Sequence, residues 1–236
     1  MKLSGKKVMI GCPVRDRAWI LPRYLESIRA LDYPPDLLEF CFIINDCSDN
    51  TPELLKEFAA QEQRPARLVH ADSFKPGPFE RGLYSFKRLA ELRNILIGQF
   101  LLSSCDYLFS IDSDIAAASD SLNKLVQSGK DIVSALVWNG GAVNSPDIYN
   151  ILQRDGTGRY IHIKSFPPET VFPVDCTGAA YLIKRWVLER AHVKYNADHG
   201  AEDIGFCKAA QQAGAGIFCH SGVRCFHYMK KPQAIF

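Results

Sequence analysis

The sequence predicts an α/β domain with a mainly parallel sheet covered by helices on both faces. Short apolar runs alternate with amphipathic helical patterns along the chain, which is the rhythm of strand–helix–strand units. Polar turns follow the apolar runs. With 236 residues, 47% of them hydrophobic, the chain has enough apolar surface for one substantial core and reads as a single domain over residues 1–236.

Lys7 to Gly11 reads as a buried strand, and Ala18 to Leu31 as a helix with Leu21, Tyr24, Leu25 and Ile28 on one face. Phe40 to Ile44 is a second strand, ending in the turn Asn45-Asp46-Cys47-Ser48-Asp49-Asn50. Thr51 then caps a helix with Pro52 at its first position and Leu54, Leu55 and Phe58 inward. Arg67 to His70 follows as a strand, Tyr84 to Leu102 as a long helix and Tyr107 to Ile111 as a strand. A helix near Ser121 to Ser128 and a strand over Lys130 to Trp138 repeat the rhythm. Asn139 to Thr170 is the least regular stretch, with Gly140, Gly141, Pro146, Gly156, Gly158, Pro167 and Pro168. It reads either as a surface lid or as a connection between two half-sheets. A last helix spans Ile204 to Ala213, and the apolar run Gly216-Ile217-Phe218 leads into a turn over Cys219 to Arg224.

Composition excludes several classes. Lys and Arg total 28 against 26 acidic residues, a net charge of +2, so no dense positive field for nucleic acid exists. No apolar run approaches the roughly 18 residues of a membrane helix. The apolar stretch Val8 to Cys12 after the basic start Met1 to Lys7 is short for a signal peptide, so the chain reads as cytoplasmic. Eight cysteines occur with no C-x-x-C pair and read chiefly as buried reduced thiols. A zinc site from Cys207, Cys219, His220, Cys225 and His227 fits no standard spacing.

Ligands of such sheets bind beyond the carboxyl ends of strands. Asp112-Ser113-Asp114 sits there, directly after a strand. Two carboxylates at i and i+2 face one side and repel each other unless a cation lies between them. A divalent ion with oxygen ligands supplies that charge, and a solvated turn with Asx hydrogen bonds is the other reading. Glu202-Asp203 opens a helix, where acids also simply complement the dipole. His227, after the last apolar run, reads as a metal ligand or as an ordinary hydrogen-bonded histidine.

The order of these elements resembles the GT-A nucleotide-sugar glycosyltransferases, particularly the broad family 2. The resemblance covers nearly the whole chain. It includes Val8 to Arg17 with Pro13 in the first turn, the acidic turn Ile44 to Thr51, Arg93-Asn94, the D-x-D Asp112-Ser113-Asp114, Thr177-Gly178-Ala179, Glu202-Asp203 with its helix, and His227. Leu31 to Pro34, Ser48 to Thr51 and Asp131 to Trp138 also resemble Anp1-type mannosyltransferases, which retain anomeric configuration where family 2 inverts it. Glu202-Asp203 favours family 2. Cys47 stands where that family's base-binding turn has glycine, and Arg185-Trp186 is the nearest approach to the motif of processive synthases.

The resemblance implies a single GT-A (Rossmann-like) domain with a small antiparallel acceptor-side portion. Residues 1–115 form the nucleotide-sugar half and 116–236 the acceptor half. It also implies Mn2+ or Mg2+ held by Asp114 and His227 with Asp112 nearby. Pro13, Arg15, Asp46, Arg93, Asp112 and Ser113 contact the donor, a UDP-sugar whose uridine-type base gives its N–H to Asp46. Asp203 is the general base, supported by Glu202. The acceptor is a saccharide, a lipid-linked sugar or a protein hydroxyl. Trp138, Tyr149, Tyr160 and Tyr181 stack on sugars or pack internally, and Arg154, Arg159 and Lys164 lean toward the diphosphate or stay solvated. Two rival readings are a sugar nucleotidyltransferase, which lacks support because the first turn holds one glycine, Gly11, and a catalytically dead sugar-binding module, against which the intact acids argue.

Overall fold

In the computed structural model, residues 5–72, 85–140 and 147–229 are described. Tyr84, Gly141, Pro146 and the residues Met1 to Ser4 lie outside them. The order is β1 (Val8–Val14), α1 (Leu21–Arg29), β2 (Leu38–Ile44), α2 (Thr51–Gln61), β3 (Ala66–His70) and α3 (Phe86–Leu101). There follow β4 (Tyr107–Ile111), β5 (Ile115–Ala117), α4 (Ser121–Gln127), β6 (Ile132–Val137), β7 (Ile151–Arg154), β8 (Tyr160–His162) and β9 (Val171–Pro173). The chain ends with β10 (Cys176–Thr177), β11 (Ala180–Lys184), α5 (Arg185–Glu189), α6 (Glu202–Gln212) and β12 (Ile217–His227).

The large sheet runs β3-β2-β1-β4-β11-β6-β12-β5, with β9 also paired to β12. Strands β3, β2, β1 and β4 are parallel neighbours, as are β6 and β12, while β11 runs antiparallel between β4 and β6. A separate three-stranded antiparallel sheet, β10-β7-β8, supplies the small antiparallel portion that the sequence implies. The α/β expectation holds.

Side-chain alternation along the strands divides the core. Val8, Ile10, Cys12 and Val14 of β1 pack with Phe40, Phe42 and Ile44 of β2 against Leu21, Tyr24 and Ile28 of α1 and Leu55 and Phe58 of α2. On the other face Met9, Cys41 and Ile43 meet Leu92, Leu96 and Phe100 of α3 and Phe206 of α6. Gly11 is required where β1 lies against β2, because a Cβ there would run into the Cys41 carbonyl oxygen.

Three local expectations need correction. Helix α1 begins at Leu21 rather than Ala18, since the Ala18 N–H is held by Asp49 Oδ2 at 2.9 Å outside the helix. Thr51 is not the N-cap of α2; Asn50 is, and the Thr51 hydroxyl instead accepts from the Arg17 N–H at 2.7 Å. Cys219 to Arg224 is not a turn but part of β12, whose register against β6 shifts between His220 and Arg224. Ser221 within that bulge donates to Pro167 O at 2.6 Å, so the extra residues are held by the loop before β9. Strands β7 to β11 have five residues or fewer and too little periodicity to stand out in the sequence.

Candidate active site

The register aligns the ends of β1 and β2, with Val14 opposite Ile44, and β4 ends beside them. Three turns therefore meet at one edge of the sheet. The first two are locked by hydrogen bonds: Asn45 N–H donates to Val14 O at 3.1 Å, and Ser48 N–H and hydroxyl donate to Asp16 Oδ1 at 2.6 and 3.0 Å. Asp16 and Asp46 both have positive φ, 49° and 45°, a conformation that aspartate tolerates better than most residues. Asp16, Cys47 and Asp49 have candidate metal-ligand atoms within 4.8 Å of one another. Their carboxylates accept from the Ser48, Ala18 and Thr51 amides, so this cluster serves the turn. Pro13 lies partly exposed on β1 beside Ile43, and Arg15 stands 3.8 Å from Asp16. The Asp46 amide donates to Asp72 Oδ1 at 2.6 Å, which anchors the turn while its side chain is only partly covered.

The third turn carries Asp112, Ser113 and Asp114. Ser113 and Asp114 are buried at 5% and 7% exposure, whereas the Asp112 side chain remains a third exposed. Asp114 Oδ1 lies 3.6 Å from His227 Nε2, and its Oδ2 pairs with Arg17 at 3.3 Å. His227 Nδ1 donates to Asn139 Oδ1 at 2.8 Å, so in the neutral imidazole the Nε2 lone pair faces the carboxylate. Two acceptors facing each other form a donor set of one carboxylate oxygen and one imidazole nitrogen, which suits a divalent cation. The hydrogen bond that His227 gives to Asn139 fixes the ring as outer-shell partners of metal-binding histidines do.

Across the site, Glu202 and Asp203 open α6. Arg93, buried at 2% exposure on α3, joins the two sides. Its Nε donates to Glu202 Oε1 at 3.1 Å, one terminal nitrogen to Asp112 Oδ1 at 2.8 Å and the other to Ser110 Oγ at 3.2 Å. Burial alone would lower the Arg93 pKa, but Asp112, Tyr181, Asp203 and Glu202 outweigh it, and the guanidinium stays charged. Arg93, expected from the sequence to contact the donor, pairs with Glu202 and Asp112 in the structure.

Asp203 lies against the β10–β11 turn. A Cβ on Gly178 would collide with its carboxylate, so the small residue is a condition of the approach. The same turn is tied to the turn after β4, since the Asp112 N–H donates to Ala179 O at 2.8 Å. Loss of water around Asp203 raises its pKa first, Glu202 repels it further, and Arg93 pulls the other way, leaving it at about 8.

Other candidates separate. Tyr181 is fully buried and packs internally, with its hydroxyl on Tyr195 and on Asp203 Oδ1 at 3.3 Å. Trp138 is 44% exposed and bridges to Tyr149. Arg154 pairs with Asp175 and Arg159 with Asp155 on the β7–β8 hairpin. The cysteine and histidine set considered for zinc does not gather among the described residues, and the eight cysteines are free thiols. Sequence reasoning missed Arg17, Asn139 and Tyr195 as site residues. Only Arg17, the last residue of the stretch Val8 to Arg17, carried a signal.

Comparison with known proteins fits this geometry. A family model described as "Glycosyltransferase family 25, N-terminal domain" matches residues 5–232. Procollagen galactosyltransferase 2 of Homo sapiens is 24% identical over 197 residues, covering 77% of this chain and 31% of that protein. The chain thus spans about a third of that relative's length. Among solved structures, GalNAc-T7 with UDP, GalNAc and Mn2+ superposes with TM-score 0.69 at 14% identity, over 94% of this chain and 44% of the other. A mannosyltransferase from Pyrobaculum calidifontis with GDP-Man and Mn2+ gives TM-score 0.63 at 18% identity, over 96% and 58%. The GT-A fold expected from the motifs is the fold of these neighbours, and the matching family is 25 where the motif order resembled family 2.

Proposed function

The chain belongs to the glycosyltransferase family 25 N-terminal-domain family, and from that premise we propose that it moves a sugar from a nucleotide-sugar donor to a hydroxyl acceptor. The observation that carries the reading is the Arg93 bridge. One buried guanidinium holds donor-side Asp112 and acceptor-side Glu202 together, next to Asp203.

Residues 1–115 then serve the donor and 116–236 the acceptor. Asp46 accepts the base N–H, Pro13 lines the base pocket and Arg15 faces the phosphates. Ser113 and Asp112 hold the sugar and diphosphate end, with Arg93 acting through Asp112. Asp114 and His227, with Asp112 nearby, are the residues that would hold Mn2+ or Mg2+. Such an ion, when bound, neutralises charge developing on the departing diphosphate. Asp203 takes the proton of the acceptor hydroxyl on the opposite face of the sugar, which gives inversion. Glu202 keeps Arg93 in position. UDP is favoured because the structural neighbour GalNAc-T7 holds it, and galactose because the human relative is named a galactosyltransferase. Protein hydroxyls of the collagen type head the acceptor classes, ahead of saccharides and lipid-linked sugars. Eight free thiols fit a reducing, cytoplasmic compartment; among the described residues no helix is long and apolar enough to cross a membrane.

The experiment is UDP release from UDP-galactose in the presence of Mn2+. Asp114→Ala should lower it by about 10²–10³-fold, the scale for removing one preorganised stabiliser of developing charge, with the circular dichroism spectrum unchanged. Full activity of washed protein in EDTA would sink the metal assignment. At the base end, Asp46→Ala should weaken UDP binding by roughly 1–3 kcal/mol, the cost of an unpaired buried polar partner. Calorimetry giving the wild-type affinity would remove Asp46 from the pocket.

A further inference from the structure

We propose that Asn94, Tyr195 and Tyr181 form a positioning chain that aims the Asp203 carboxylate, an inference that rests on the reading of Asp203 as the base. Asn94, one residue after Arg93 on α3, grips the backbone of Tyr195 at both ends. Its Nδ2 donates to Tyr195 O at 2.9 Å, and its Oδ1 accepts from Tyr195 N–H at 2.9 Å. The Tyr195 ring stacks on Phe206 of α6 at 4.3 Å between centroids, and the Arg93 guanidinium carbon lies 5.5 Å from the ring centre. The ring is therefore fixed in position and tilt.

Its hydroxyl meets that of Tyr181, and Tyr181 donates to Asp203 Oδ1 at 3.3 Å. In its base form the Asp203 carboxylate only accepts, and the protons then point one way: Tyr195 donates to Tyr181, and Tyr181 to Asp203. Bonds aligned in one direction polarise one another. Tyr181 is in turn fixed by β11, where it pairs with Ser110 of β4 and Ser134 of β6. Asp203 Oδ2 lies against Gly178, so one oxygen is pinned by a phenol and the other is confined by a backbone that admits no Cβ. A reacting group held this way keeps near-attack geometry, and a small misplacement of it costs about 10²-fold in rate.

The arrangement also explains why Arg and Asn are adjacent on α3. Arg93 connects the two acids, while Asn94 holds the backbone of the strut for the third. Both tyrosines are buried, so their effect on rate passes through Asp203. The test uses the whole chain with UDP-galactose and Mn2+, read as UDP release. Tyr181→Phe should lower kcat by about 10–100-fold and leave the KM for UDP-galactose within about twofold. In an Asp203→Asn background the same change should cost nothing further, because residues acting through one group are non-additive. Asn94→Ala should follow the same pattern, more weakly. Equal losses in both backgrounds, or an unaltered kcat in the single variant, would overturn the positioning role. If Tyr181→Phe unfolds, Tyr195→Phe removes only the outer hydroxyl and is judged by the same pair of backgrounds. A wild-type chain inactive with UDP-galactose, UDP-N-acetylglucosamine and GDP-mannose would overturn the transfer reading, and the chain with it; an active wild type with an unaltered Tyr181→Phe overturns the chain alone.

Discussion

Asp203→Asn is expected to cut turnover by about 10²–10⁴-fold, the contribution of a positioned general base, while donor affinity stays nearly intact. Asparagine matches aspartate in shape, so the Gly178 contact survives and no cavity opens. It can still accept from Tyr181 through its carbonyl oxygen. What disappears is the capacity to take a proton. The pH profile provides a second reading. Burial and Glu202 hold the Asp203 pKa at about 8, above the ordinary carboxylate range. The base form therefore grows as pH rises through that value, and the rate should rise with it. Asp203→Asn should lose this rising limb. Proton NMR of the first-formed product decides the stereochemistry: an inverted anomer supports in-line displacement. A retained anomer would return the protein to the Anp1-like reading and reduce Asp203 to orienting the acceptor.

Arg93→Ala is expected to destabilise the fold by about 3–5 kcal/mol, the usual result of removing one partner from a buried ion pair. The reason is local. Glu202 is 3% exposed, and Asp112 and Ser110 share the same guanidinium, so alanine leaves a buried carboxylate facing a void. Arg93→Lys should recover only part of the loss, since one ammonium cannot present the guanidinium fork to three partners. Urea unfolding followed by circular dichroism measures both. A midpoint for Arg93→Ala equal to wild type would mean that the acids do not depend on Arg93 for their charge. Activity should fall with stability here, in contrast to Asp203→Asn, where the fold persists.

The sequence by itself determined the architecture. Apolar runs such as Phe40 to Ile44 and the helical face Leu21, Tyr24, Leu25 and Ile28 are local patterns, and the strands and helices they specify formed close to where the pattern put them. The acidic residues Asp112, Asp114, Glu202 and Asp203 were also legible, because charged groups directly after an apolar run or at a helix start stand out against their neighbours. The short strands β7 to β11 were not, since two to five residues carry too little period to separate them from loop. Nor was the bulge that turns Cys219 to Arg224 into strand, which depends on Ser221 meeting Pro167 and Thr170. Only the tertiary structure decided what the side chains meet. Arg93 and Glu202 are 109 residues apart in sequence, Asn139 and His227 are 88 apart, and Asn94 and Tyr195 are 101 apart. No local pattern encodes such pairs: a strand's period says which face a residue takes, while the partner across that face is set by the order in which the strands are laid into the sheet.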